Sequence, residues 1–183
     1  GLAGHTAAFA KELSQKESVI VLTSQSMNEE IPDNFISWQS KKITVYRKIK
    51  KWRLFHLIKQ LKLIENIAPK LILVQYLPFL YNPRGGINFG FCAFLVLLKL
   101  RGYKINTICH EIYYPALPNP KAILMFVCHI LMLVLVGMAS EKIFAATILF
   151  QAQIKRILFW KKNIIHLPVG SNMERIPCSE TEI

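Results

Sequence analysis

The chain has 183 residues, of which 52% are hydrophobic and only 19% are charged, so one domain with a substantial core is expected. Its net charge of +12 favours an anionic partner, which lipid head groups, nucleic acid or a phosphorylated substrate would each provide. The four cysteines are widely spaced and form no CxxC pair, which argues against a zinc site or a disulfide framework. We therefore expect reduced thiols in a cytoplasmic protein.

Strand-like and helix-like segments alternate along the chain. The hydrophobic spacing predicts helices over 3–16, 47–67, 88–100, 120–139 and 148–160. Short apolar runs predict strands over 18–24, 43–46, 70–76, 104–109, 142–147 and 163–167. This alternation implies right-handed βαβ crossovers. It therefore predicts an α/β, Rossmann-like domain over 1–183, with a mostly parallel sheet and helices on both faces.

The amino end is Gly-rich and leads directly into the first predicted helix, with the sequence Gly1-Leu2-Ala3-Gly4-His5-Thr6. A turn of this kind normally follows a strand, so we expect the first strand of the sheet to lie upstream of Gly1. Glycines let a ligand approach the backbone, and the amino end of a helix offers unpaired amides. Gly4 and His5 are therefore candidate contacts for a phosphate or a sugar, with an ordinary turn as the alternative.

The segment Thr107-Ile108-Cys109-His110-Glu111 places an imidazole and a carboxylate at the end of an apolar strand. Ligands of open α/β sheets bind outside the carboxyl ends of the strands. Near neutral pH, histidine can accept a proton or donate a hydrogen bond to a hydroxyl or phosphate. His110 is therefore the first candidate catalytic residue, and the alternative is a strand-end histidine satisfied by backbone.

Two further segments extend the pattern: Gln75-Tyr76-Leu77-Pro78-Phe79 followed by Gly85-Gly86, and Leu167-Pro168-Val169-Gly170-Ser171-Asn172. Together with the Gly-rich amino end and the strand before His110, they follow one another in a characteristic order. In that order the four segments resemble the amino-terminal domain of GT-B glycosyltransferases of the large retaining group, glycosyl transferase family 4. The resemblance extends along the whole chain.

The resemblance implies a sugar-transferring enzyme in which a second Rossmann-like domain, expected outside 1–183, holds most of the nucleotide-sugar donor. This domain would hold the acceptor, and alone it is expected to have little or no transferase activity. His110 would be the catalytic residue that contacts the transferred sugar, while Glu111 would orient it or bind acceptor. No metal is expected, because the family generally needs no catalytic metal and the sequence contains no Asp-x-Asp. No other cofactor is expected, and the nucleotide sugar would be a substrate. The residues carried over as substrate-binding are Gly4, His5, Gly85, Gly86, Glu111, Ser171 and Asn172.

Nine of the chain's 23 basic residues lie between Lys41 and Lys62, with no acidic residue among them. Apolar residues recur there at helical spacing, which predicts a basic amphipathic helix suited to an anionic membrane surface. The alternative is a helix whose apolar stripe packs on the sheet while its lysines are solvated. Nucleic acid is not predicted, because no recognisable nucleic-acid-binding module accompanies the cations. The residues assigned to the membrane surface are Lys48, Lys51, Trp52, Arg53 and Phe55.

Residues 122–139 form an uncharged run of eighteen residues, which at about 1.5 Å per residue would nearly cross a hydrocarbon core of about 30 Å. A buried or membrane-dipping helix is expected, because strands and helices continue to alternate on both sides. We therefore predict a cytoplasmic enzyme, peripheral at the inner face of the cell membrane, acting on a lipid-linked or polysaccharide acceptor. The alternative is a non-enzymatic membrane-anchored protein that combines a spanning helix at 122–139 with the basic helix.

Overall fold

A computed structural model describes residues 2–24, 43–82, 85–113 and 118–168. Strands and helices alternate through these ranges, and every strand pairs with its neighbour in the parallel sense. The predicted α/β, Rossmann-like fold is therefore confirmed. In chain order the elements are α1 Leu2–Ser14, β1 Val19–Ser24, β2 Ile43–Ile49, α2 Leu54–Ile58, α3 Leu61–Ile67, β3 Ile72–Tyr76, α4 Pro78–Tyr81, α5 Phe89–Leu100, β4 Ile105–Cys109, α6 Pro120–Ala139, β5 Lys142–Ala145, α7 Ile148–Ile157 and β6 Ile164–His166.

The strands form two parallel sheets rather than one continuous sheet. β1 pairs with β2, and a second sheet has the order β3-β4-β5-β6. Within the described ranges, β1 and β3 each have a strand on one side only. The first strand expected upstream of Gly1 would lie outside these residues. Because neighbouring strands of the larger sheet follow one another along the chain, right-handed crossovers place α5, α6 and α7 on the same face of it.

The core lies between the larger sheet and this helix layer. The two central strands, β4 and β5, are covered on both faces, so their apolar side chains are almost fully buried, including Ile105, Ile108 and Ile143. From the helices, Leu98 of α5 and Leu133 of α6 form one cluster with Ile105 and Ile143. This buried scaffold fixes the ends of the strands, where ligands of such sheets are held.

Several predicted boundaries coincide with cap residues. Asn119 accepts a hydrogen bond from the backbone amide of Ala122 at 2.8 Å, and Pro120 occupies the first turn of α6. Asn88 caps α5 in the same way, through the amide of Phe91 at 3.0 Å. Gly102 adopts a φ of +87° just after α5. The predicted end of the helix over 88–100 and the predicted start of the helix over 120–139 are therefore confirmed.

The predicted helix over 47–67 is wrong. β2 continues to Ile49, because its β-branched and aromatic residues pair along β1 as far as Ser24. Residues 50–53 are non-helical, and two short helices follow, α2 and α3. The buried residues of α2 and α3 are Leu57, Leu61 and Ile64. They lie on two short helices, so no single apolar stripe runs along 47–67 as predicted. Tertiary pairing has here overridden a pattern that also fits a helix.

α6 has one side in the core and one side open to solvent. Met132 and Leu133 are fully buried, whereas Leu124 and Met138 are largely exposed. Among the described residues, α6 is the one helix long and apolar enough to cross a membrane, which by itself is weak evidence for a span. Only 39% of its most apolar stretch of 18 residues is buried within the protein. The helix therefore packs on the sheet and leaves an apolar outer side.

Candidate functional site

The candidate site is built at the point where β3 and β4 end side by side. Tyr76 pairs with Cys109 in the parallel register, and the next amide, that of His110, donates to the Tyr76 carbonyl at 3.0 Å. This bond continues the sheet by one residue and fixes the backbone from which the imidazole projects. His110 thus lies at the carboxyl edge of the larger sheet, as predicted for a ligand-binding residue.

Gln75, the penultimate residue of β3, holds the imidazole of His110. The distance from Gln75 Oε1 to His110 Nε2 is 2.6 Å. Since an amide oxygen only accepts hydrogen bonds, the Nε2 atom carries the proton, and the lone pair of the neutral ring lies on Nδ1. Glu111 was expected to orient His110 or to bind acceptor; it is exposed, and Gln75 makes the contact with the His110 ring.

His5, in α1, completes the cluster. Its ring centroid lies 5.0 Å from that of His110, edge to face with an interplanar angle of 80°. On its other side His5 stacks on Phe9 of the same helix, with the ring centroids 6.2 Å apart. The Nδ1 atom of His5 is buried and has no hydrogen-bond partner among the described residues. A buried polar atom without a partner costs about 1–3 kcal/mol, so a ligand that bonds to it would recover stability.

Burial and a neighbouring imidazole favour the neutral form of His110. Burial lowers the pKa of His110 below its ordinary 6.5, and electrostatic repulsion from the nearby His5 imidazole lowers that pKa further. His110 is therefore a neutral imidazole at pH 7, able to accept a proton or share a hydrogen bond. The neighbouring Cys109 is fully buried, and burial raises the pKa of its thiol to about 12. Cys109 therefore stays protonated and is not a thiolate nucleophile.

Of the other predicted substrate contacts, two adjoin this cluster along the chain. Gly4 is exposed in the first turn of α1, one residue before His5. Glu111 is exposed just after His110. Ser171 and Asn172 lie outside the described residues. Gly4, His5, His110 and Glu111 thus come from the two segments that meet at this end of the sheet, and Gln75 is the residue that sequence reasoning passed over. The signal was present, because Gln75 is a polar residue within an otherwise apolar strand.

Gly85 and Gly86 form a tight turn before α5, with φ values of +84° and +69°. The Gly86 amide donates to the Asn82 carbonyl at 2.8 Å, and His129 Nε2 lies 3.0 Å from the Gly85 carbonyl oxygen. A Cβ atom on Gly86 would lie only 2.9 Å from His129 Nε2 and 3.3 Å from Phe79 Cδ1. This close packing accounts for Gly86 structurally, and it explains how a histidine is accommodated in the apolar helix α6.

The residues predicted for a membrane surface divide into two groups. Trp52 is half-buried: its indole N–H donates to Ser24 Oγ at 2.8 Å, and its ring meets the Tyr81 ring edge to face. Trp52 therefore packs β1 and β2 against the rest of the molecule. Lys48, Lys51, Arg53 and Phe55 are exposed, as is Lys59, whose Nζ lies 4.5 Å from the Phe55 ring centroid. We call Lys51, Arg53, Phe55 and Lys59 the α2 patch.

No cluster of three or more potential metal ligands occurs within the described ranges. No protein-family model matches the chain, and no curated protein matches it either. The cluster formed by His5, Gln75 and His110 therefore provides the main structural support for a function.

Proposed function

We propose that this domain is the acceptor-side half of a sugar-transferring enzyme, and that the cluster of His5, Gln75 and His110 binds the sugar at the reaction centre. The observation that carries the proposal is this cluster of two imidazoles at the carboxyl edge of a parallel sheet, with a buried nitrogen of His5 left unpartnered. Parallel α/β sheets hold their ligands at this edge. The resemblance of four segments to GT-B glycosyltransferases supports the same assignment.

The chemistry of the cluster suits a neutral ligand rich in hydroxyl groups. With Nε2 of His110 bonded to Gln75, its Nδ1 lone pair can accept a hydrogen bond from a sugar hydroxyl. His5 Nδ1 offers a second polar atom on the adjacent ring. Because the pKa of His110 is lowered, its ring carries no charge that would need a counter-ion at pH 7. His110 would thus align the transferred sugar, and Gln75 would set the orientation of His110.

The α2 patch supports an acceptor at an anionic membrane surface. Phe55 is 66% exposed, which is unusual for a phenylalanine, and it is surrounded by cations in a segment without acidic residues. Each cation near an anionic bilayer contributes about 1 kcal/mol, so together they would give attachment that salt weakens. We therefore propose a lipid-linked or polysaccharide acceptor at the cytoplasmic face of the membrane, and a nucleotide sugar as donor.

Binding at the cluster can be tested by nuclear magnetic resonance of the histidine rings in the 183-residue chain. A panel of nucleotide sugars and free sugars is titrated while the ring signals of His5, His110 and His56 are followed. We expect at least one sugar-bearing ligand to shift the His5 and His110 signals together. His56 lies in α2 and serves as an internal control for general effects of added ligand. The proposal is contradicted if no sugar moves the cluster signals, or if His56 moves equally.

A further inference from the structure

The outer side of α6 is an apolar stripe with nothing packed on it in the described structure. Leu124, Val127, Leu131 and Met138 recur at helical spacing and are between 45% and 62% exposed. The opposite side of the helix, including Met132 and Val136, is fully buried. No charged residue occurs between Lys121 and Glu141. A surface helix normally carries polar residues outside, so this stripe lacks the solvent-facing residues that its position requires.

An exposed aromatic pair adjoins the carboxyl end of the stripe. Phe159 is 83% exposed and Trp160 46% exposed, with their ring centroids 5.2 Å apart. They follow Leu158, whose side chain packs at Gly137, the residue before Met138 of the stripe. The exposed side chains of Lys155, Arg156 and Lys162 flank the pair, and residues 146–166 contain no acidic residue. Aromatic rings between cations are typical of proteins at the membrane interface.

We infer that the stripe of α6 and the pair Phe159-Trp160, together the α6–α7 face, lie in the interface of an anionic lipid bilayer, with α6 parallel to the membrane plane. This inference rests on the proposed membrane attachment, but it does not depend on sugar transfer. The stripe and the aromatic rings would enter the boundary between head groups and acyl chains. Lys155, Arg156 and Lys162 would contact the anionic head groups.

The packing of α6 favours lying in the interface over crossing the membrane. His129 is fully buried on the inner side of the helix and bonded to the Gly85 carbonyl oxygen, and that side enters the core of the sheet. A spanning orientation would have to break these contacts, because one sheet cannot follow the helix into hydrocarbon. An in-plane orientation keeps every one of them and removes only the apolar outer side from water.

Binding to vesicles tests the inference directly. The chain is sedimented with vesicles of phosphatidylcholine alone and with vesicles that also contain phosphatidylglycerol. We expect Phe159→Gln to lower the partition coefficient for the anionic vesicles about tenfold, since a phenyl group that would enter the bilayer is replaced by an amide. Leu131→Gln should lower it severalfold. Leu13→Gln is the matched control for Leu131→Gln, because Leu13 is an exposed leucine (40%, against 50% for Leu131) on α1, which packs on β1 and β2. Each variant is first checked for unchanged thermal unfolding.

The depth of insertion gives a second readout. Lipids brominated on the acyl chain should quench tryptophan emission of the wild-type chain, and Trp160→Phe should remove most of that quenching while retaining an aromatic ring. Phe55→Gln tests the α2 patch separately. If Phe55→Gln weakens binding while Phe159→Gln and Leu131→Gln do not, the inference is overturned and the α2 patch stands. If the wild-type chain binds no vesicles, both fail. If Leu131→Gln instead abolishes self-association without changing vesicle binding, the face joins two copies and the inference is also overturned.

Discussion

Replacing Gly86 tests whether this glycine is required for close packing against His129 in the turn before α5. Gly86→Ala introduces two costs that the geometry separates. A residue with a Cβ at a φ of +69° costs about 1–2 kcal/mol in backbone strain, partly offset by the lower entropy of the unfolded chain. The new Cβ would also lie 2.9 Å from His129 Nε2, so the imidazole must move away from the Gly85 carbonyl oxygen. Breaking that buried hydrogen bond costs about 1–3 kcal/mol more.

Gly102→Ala is the matched control. Gly102 has a similar φ of +87°, but a Cβ there would meet nothing within 4 Å. The backbone cost and the unfolded-state effect are therefore shared by the two variants, and the difference between them isolates the contact with His129. In urea unfolding we expect Gly86→Ala to lower the free energy of unfolding by about 1–3 kcal/mol more than Gly102→Ala. Equal losses would refute the packing argument and return Gly86 to the candidate ligand contacts.

Two further predictions follow from the site and its support. The ring signals of His110 should titrate with a midpoint below 6.5, and His5→Gln should raise that midpoint by removing the electrostatic effect of the His5 imidazole. Because the unfolded chain takes up this proton at higher pH than the folded chain, His110 should make the protein less stable as pH falls below about 6.5; a midpoint above 6.5 would contradict this. Trp52→Phe removes the hydrogen bond to Ser24 and should lower the free energy of unfolding by about 1 kcal/mol. Adding Ser24→Ala to Trp52→Phe should cause little further loss. Additive losses would mean that the two side chains act independently.

Much of the architecture could be predicted from local pattern. The buried strands β3, β4 and β5 are short apolar runs between polar or Gly-rich segments, and each was placed within about two residues. The start of α6 was predicted correctly, because Asn119 can accept a hydrogen bond from a free helix amide and Pro120 suits the first turn of a helix. The prediction of one helix over 47–67 was wrong because the local pattern did not determine the structure there. The apolar residues of this segment fit a helical spacing, but pairing with β1 determines the structure as far as Ile49.

The candidate site was only partly predictable. His110 could be identified because it follows a short apolar run that predicts a strand, so its place at the strand end is clear from the sequence. The contact between Gln75 and His110 depends on the register of β3 against β4, and the contact between His5 and His110 depends on where α1 packs. Neither relationship is encoded within a short window of sequence. The exposed aromatic pair at Phe159-Trp160 likewise became recognisable as a surface only when burial was known.

The central claim is that His110, held by Gln75 and adjoining His5, aligns a sugar during transfer. The most direct measurement is transfer of labelled sugar from a panel of nucleotide sugars to membrane lipid by the native gene product, comparing wild type with His110→Ala and with His56→Ala as the matched imidazole control. We predict that wild type and His56→Ala transfer sugar from one donor, and that His110→Ala lowers turnover about a hundredfold or more with unchanged thermal unfolding. Transfer that survives His110→Ala, or no transfer from any donor by the wild type, would contradict the account.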